Sequence, residues 1–214
     1  MTQRIVVLIS GSGSNLQTLI DHSQKGDLHG NIVGVISNKA DAFGLVRAQN
    51  ASIPSLVLDH KTFASREDFD LALIEHIDSF KPDLVVLAGF MRILSAEFVR
   101  RYQGHLMNIH PSLLPRYKGL NTHQRALDAG DAEHGCSVHF VTEELDGGPI
   151  IIQAKTPILM EDDSASLQAR VHTLEHKIYP LAVSWFCSGR LRVTDDGVML
   201  DDNCLPSSGF ELKA

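Results

Sequence analysis

The chain has 214 residues, 43% hydrophobic and 21% charged, which excludes a disordered or fibrous chain and is enough to fold without a metal or cross-link. Nineteen Lys and Arg against 26 Asp and Glu give a net charge of -7, disfavouring a broad nucleic-acid or anionic-membrane surface and leaving room for a local anion site. Cys136, Cys187 and Cys204, odd in number and far apart, match neither a secreted disulfide framework nor a thiolate cluster, so a reducing cytoplasm is the expected location.

The first apolar run, Ile5–Ile9, is too short for a signal peptide, and no run approaches the roughly 20 residues that cross a bilayer. From there the sequence alternates strand and helix. Ile5–Ile9 precedes a helix from about Asn15, Ile32–Ser37 one from about Ala42, and Leu56–Leu58 one from about Glu67. Leu84–Ala88 precedes a helix from about Ala96, and Leu106–Ile109 is the fifth strand. Near-continuous Ile, Val and Leu runs separated by helical patterns are what a parallel sheet covered on both faces requires. The reading is α/β, a doubly wound, mostly parallel sheet. Ser65 followed by Asp68 resembles a capping box, and Ser95 is a similar start signal. The second half changes character. Cys136–Val141 and Ile150–Pro157 read as strands around a surface loop at 142–149, and a long helix begins near Ser166 and ends before Ser188, with Pro180 marking a kink or a helix junction. Leu191–Val193 and Val198–Leu200 read as a terminal hairpin, and Pro206–Gly209 as frayed.

Ser10-Gly11-Ser12-Gly13-Ser14-Asn15 joins the first strand to the first helix, where small residues let backbone N–H groups approach an anion. A phosphate is the natural ligand, with Ser14 and Asn15 adding side-chain donors; the same glycines also suit a plain tight turn. Leu16 stands where a dinucleotide fingerprint needs its third glycine, no acidic residue ends the second strand, and no Gly-Lys-Ser/Thr follows.

Asn108 and His110 lie two apart at the end of the fifth strand, so they share a face, and an amide donor beside an imidazole can stabilise an oxyanion and handle a proton. Pro111 and Pro115 stiffen the exit, and Arg116, Tyr117 and Lys118 suit an exposed loop over an anionic ligand. Asp146, before Gly147 and Gly148, is the best carboxylate partner for His110, while Glu143 and Glu144 read as solvent-facing. His172-Thr173-Leu174-Glu175-His176 matches a zinc-protease helix motif, yet no third ligand is evident, and a packed or exposed histidine pair is the better reading.

The first turn, Ala88-Gly89-Phe90-Met91-Arg92-Ile93-Leu94, Asn108-Ile109-His110-Pro111-Ser112-Leu113-Leu114-Pro115 and Leu145-Asp146-Gly147-Gly148-Pro149-Ile150 together resemble the folate-dependent formyltransferases over nearly the whole chain. The resemblance implies a formyltransferase-type fold in one domain over 1–214, residues 1–105 mainly the phosphate and ribonucleotide half and 106–214 mainly the catalytic and folate half. It implies transfer of a formyl group from the co-substrate 10-formyltetrahydrofolate to the amine of glycinamide ribonucleotide, without a metal. Asn108, His110 and Asp146 are then catalytic; Gly13, Ser14 and Asn15 bind phosphate; Glu175 lies near the substrate amine. Arg66, Met91, Arg92, Ile93 and Leu94, with Asn108, Thr142, Glu143, Glu144, Leu145 and Asp146, form the folate site. Small-molecule substrates, no nucleic acid, no membrane, and a monomer or homodimer complete the expectation. Length and acidity set the chain apart from methionyl-tRNA formyltransferases, with their basic RNA-binding domain, and from formyltetrahydrofolate hydrolases, with their regulatory domain. Transfer to a sugar-nucleotide amine, hydrolysis of formyltetrahydrofolate and a non-enzymatic anion-binding module remain as alternatives. Ser12 stands where relatives can carry Asn, a change that preserves a small polar residue between two glycines.

Overall fold

A strand run with no polar residue must be covered on both faces, and Ile5–Ile9 of β1 (Gln3–Ile9) is one: Ile5, Val6, Val7, Leu8 and Ile9 are all fully buried. The computed structural model describes residues 2–194 and 197–212, in which the chain folds into two units, Met1–Asn108 and Ile109–Ala214.

In the first unit β1 pairs in parallel with β2 (Gly30–Ser37) on one side and with β4 (Leu84–Leu87) on the other. β3 (Ser55–Val57) lies outside β2, and β5 (Leu106–His110) outside β4 through Leu106–Asn108, all parallel. The order β3-β2-β1-β4-β5 therefore reverses direction at β1. The intervening helices are α1 (Ser14–Lys25), α2 (Phe43–Asn50), α3 (Arg66–Ser79) and α4 (Ala96–Arg101), α1 packing on α2 and α3 on α4. Ser65 and Ser95 do cap α3 and α4, accepting from the N–H groups of Asp68 and Phe98.

In the second unit β6 (Glu133–Phe140) and β7 (Ile150–Pro157) run antiparallel and carry α6 (Ser164–Cys187) against them. β8 (Leu191–Thr194), β9 (Gly197–Leu200) and β10 (Asn203–Cys204) form a small antiparallel sheet. The doubly wound parallel reading, the late antiparallel strands and the long helix are thus all present.

Three local expectations are corrected. α6 runs through Pro180 as one helix, so this residue is not a helix junction; Ile178, Tyr179, Pro180, Ala182 and Val183 are all buried, and that packing outweighs one missing N–H bond. It begins at Ser164, because Asp163 and Ser166 form a reciprocal capping box. The tail is not frayed: Gly209 N–H closes a turn on the Pro206 carbonyl at 2.8 Å, and β11 (Phe210–Leu212) then pairs in parallel with β7. A seven-residue helix, α5 (Thr122–Asp128), has no sequence counterpart, being too short to show a helical period.

Candidate active site

Where a parallel sheet reverses its winding, a crevice opens beyond the carboxyl ends of the two central strands. β1 and β4 are those strands, and the segments leaving them are Ser10–Asn15 and Ala88–Leu94. Ser10 ties the two together. Its buried hydroxyl donates to Asn38 Oδ1 at 2.6 Å and accepts from Met91 N–H at 2.8 Å.

Gly13 caps α1 from the left-handed region, φ +69°, and contributes no side chain to the helix terminus. It also touches α2: a Cβ at Gly13 would stand 2.6 Å from the Gly44 Cα. The α1 terminus is thereby left to backbone N–H groups, with Ser14 and Asn15 as the first helical residues.

Beyond β4, Phe90 is buried while Met91 and Ile93 are 67% and 60% exposed. Leu94 and Arg92 are half-buried, and the Arg92 guanidinium lies 5.0 Å from the centre of the Phe69 ring. Beneath this segment Asp70 accepts from Ser95 N–H at 2.5 Å. Burial raises its pKa, against the lowering effect of the Ser95 bonds and the Arg92 charge. Arg66 opens α3 at the surface, paired at 3.1 Å with its neighbour Glu67.

In the second unit the expected carboxylate–imidazole pair is formed. His110 and Asp146 are both nearly buried, with Nδ1 3.4 Å from Asp146 Oδ2, and His110 Nε2 lies 2.9 Å from the Tyr117 carbonyl. Asp146 adopts φ +48°, and its Oδ2 also accepts from Gly119 N–H at 2.9 Å. The glycines after it allow this path, since a Cβ on Gly148 would overlap the Phe140 carbonyl oxygen. Asn108, half-buried, lies on the face of β5 that alternation assigns to His110.

A further histidine belongs to this group and was not anticipated. His139, on β6, is buried with Nε2 3.8 Å from Asp146 Oδ1 and Nδ1 2.9 Å from the Phe140 carbonyl. Burial pushes its pKa down, opposed by the Phe140 carbonyl and by Asp146. Its only sequence signal was an imidazole on an apolar strand running directly into the Asp146 loop.

The other candidates fall into place separately. Of the loop residues, Thr142, Glu143, Glu144 and Leu145 lead up to Asp146; Leu145 is 50% exposed, and Glu144 pairs with Lys118 at 2.6 Å. Arg116 and Tyr117 both bind Asp131, at 2.5 and 2.7 Å. Glu175 is buried on α6, and the rings of His172 and His176 stack 6.4 Å apart. Among the described residues no group of three His, Cys, Asp or Glu could hold a metal ion. A cavity of about 520 Å³ adjoins Asp146, walled by Leu114, Pro115 and Lys118 and by the tail at Pro206–Ser208.

The chain and its fold have close counterparts. The family model described as formyl transferase matches residues 3–183. Phosphoribosylglycinamide formyltransferase of Escherichia coli K12 is 56% identical over 206 residues, covering 96% of this chain and 97% of that one. The human trifunctional purine biosynthetic protein adenosine-3 is 47% identical over 194 residues, 91% of this chain and 19% of that protein. Among solved structures, phosphoribosylglycinamide formyltransferase of Coxiella burnetii superposes with a TM-score of 0.95 at 53% identity, covering 100% of both chains. With a family model matching residues 3–183 and near-complete coverage by a relative and by a solved structure, the chain belongs to the formyl transferase family, in its phosphoribosylglycinamide formyltransferase branch.

Proposed function

We propose that this chain transfers the formyl group of 10-formyltetrahydrofolate to the amine of glycinamide ribonucleotide, giving the formamide and tetrahydrofolate for purine synthesis. The observation that carries the reading is the buried His110–Asp146 pair at 3.4 Å, in a chain 56% identical to a phosphoribosylglycinamide formyltransferase along almost its full length. The acceptor supplies its own nucleophile, so the protein needs none. As the amine nitrogen bonds to the formyl carbon, negative charge grows on the formyl oxygen, and the Asn108 amide and the His110 imidazole are its donors. His110 Nε2–H exchanges the Tyr117 carbonyl for that oxygen. Asp146 holds the ring through Nδ1 and stabilises positive charge on it while the amine proton moves toward N10, whose bond to the formyl carbon breaks.

The substrates divide along the chain by chemistry. Gly13, Ser14 and Asn15 offer an anion-binding helix terminus for the 5′-phosphate, and Glu175 is the carboxylate for the acceptor amine. Met91 and Ile93, large apolar side chains held at the surface beyond β4, fit a flat heterocycle, with Arg92, Leu94 and the 142–146 loop around them. Arg66, solvent-exposed, suits the anionic glutamate end of the donor. No step calls on a metal. The three cysteines are free, which supports a reducing cytoplasm as the compartment.

The test is tetrahydrofolate formation from 10-formyltetrahydrofolate, followed spectrophotometrically with and without glycinamide ribonucleotide. Turnover that requires the acceptor is expected. Equal release without it would make the chain a hydrolase, and turnover only with a sugar-nucleotide amine would overturn the acceptor.

A further inference from the structure

A trans peptide points its C=O and its N–H in opposite directions, so whatever holds a carbonyl also aims the next residue's N–H. In the first turn three successive carbonyls are held. Gly11 O accepts from Gly44 N–H at 3.1 Å, Ser12 O from Arg47 Nε–H at 2.9 Å, and Gly13 O from Gln17 N–H at 2.9 Å. The N–H groups of Ser12, Gly13 and Ser14 are therefore turned away from those donors. Only the third bond is α1's own; the first two come from α2.

Arg47 is built for this task. It is half-buried, its guanidinium lies 5.0 Å from the centre of the Phe43 ring, and Nη1 donates to Gln17 Oε1 at 3.2 Å. Gln17 is in turn fixed by donating to Asp21 Oδ1 at 2.8 Å. One face and two edges of the guanidinium are thus engaged, which leaves it little freedom. The backbone contact of Gly13 with Gly44 is what lets α2 come close enough for the Arg47 side chain to reach the Ser12 carbonyl.

We propose that Arg47 is a positioning residue for the acceptor's phosphate: it fixes the Ser12–Gly13 peptide so that the turn presents its N–H groups to a phosphate monoester dianion, and adds a positive charge behind them. The inference rests on the reading of this turn as the phosphate subsite. Arg47 touches no reacting atom, so its loss acts on acceptor binding alone.

The experiment is steady-state kinetics of the whole protein, wild type against Arg47→Gln and Arg47→Lys, with inorganic phosphate as competitor of glycinamide ribonucleotide. Arg47→Gln should raise KM for the ribonucleotide roughly 10- to 150-fold, the range of one charge-assisted hydrogen bond, and weaken phosphate inhibition in parallel. The kcat and the KM for the formyl donor should stay within about twofold. Arg47→Lys, able to donate to the Ser12 carbonyl, should recover part of the loss. An unchanged ribonucleotide KM in Arg47→Gln overturns the proposal, as does a loss confined to kcat. If Arg47→Gln does not fold, Gln17→Ala, which releases the other edge of the guanidinium, must show a smaller shift of the same kind. Glycinamide riboside, lacking the phosphate, separates the two readings in the wild type. If it serves as well as the ribonucleotide, the turn is not the phosphate subsite; if it serves poorly while Arg47→Gln keeps its KM, the assignment of Arg47 alone fails.

Discussion

Replacing Asp146 by Asn removes a charge and keeps a shape. The amide oxygen can still accept Gly119 N–H, now at 2.9 Å from Asp146 Oδ2, so the loop keeps its anchor. What goes is the attraction between carboxylate and imidazolium as His110 becomes charged. At 3.4 Å, with an effective dielectric of about 20, that attraction is about 5 kcal/mol. Water and neighbouring dipoles reclaim part of it, and removal of one oxyanion donor in a serine protease costs about 2.7–4 kcal/mol. The expected loss in kcat is therefore roughly 100- to 1,000-fold. KM for glycinamide ribonucleotide should change little, since the turn proposed to hold its phosphate is untouched. The assay is acceptor-dependent tetrahydrofolate release at saturating concentrations of both substrates. A kcat within tenfold of wild type would refute the reasoning, because a carboxylate this close to a charged transition-state group cannot be worth so little.

Ser10→Ala strips the shared partner from Asn38 Oδ1 and Met91 N–H; two bonds lost at a buried site should cost about 2–4 kcal/mol in urea unfolding and raise KM for the formyl donor severalfold. An unchanged donor KM would show that Met91 does not need this tether. Gly13→Ala must place a Cβ 2.6 Å from the Gly44 Cα at φ +69°, so it should raise the ribonucleotide KM at least tenfold and lower the melting temperature; normal affinity would argue for a plain turn. The protein should also lose stability on mild acidification. Burial, then the neighbouring His134 charge, pushes His123 down to about 4, and burial lowers His134 as well. Between pH 6.5 and 4 the unfolded chain then binds more protons than the folded one, so stability falls as pH falls, by at most about 3 kcal/mol from His123. A urea midpoint that stays flat across this window would refute the neutral-histidine assignment.

The parallel half of the fold was legible because its physics is one-dimensional. β1 and β4 are buried on both faces, so they must be written as unbroken Ile, Val and Leu, and Ser65 and Ser95 must stand where a helix begins. The departures have another source. Pro180 breaks a helix by local rules, and only the surface α6 packs against, formed by residues far away in sequence, keeps it helical. The tail after Pro206 looks like loop until β7 offers an edge to pair with. α5 has too few residues to write a period at all.

The same division runs through the site. A turn built of main chain announces itself, since close backbone approach and a left-handed cap demand glycine, and Gly13 is visible in the sequence as glycine. What holds the Ser12 carbonyl is not visible, because Arg47 donates to it across 35 positions and any surface helix can carry an arginine. Side-chain sites behave in the opposite way: Asn108 and His110 declare their chemistry by type and share a face by strand alternation, but their third member comes from a loop. Asp146 was identified by the two glycines after it, which let the chain adopt φ +48° at an aspartate and fold its carboxylate back to 3.4 Å from His110. His139 had no such punctuation. Its place 3.8 Å from the same carboxylate follows from the register of β6, so a side chain brought to the site by strand pairing leaves its mark in the fold and almost none in the sequence.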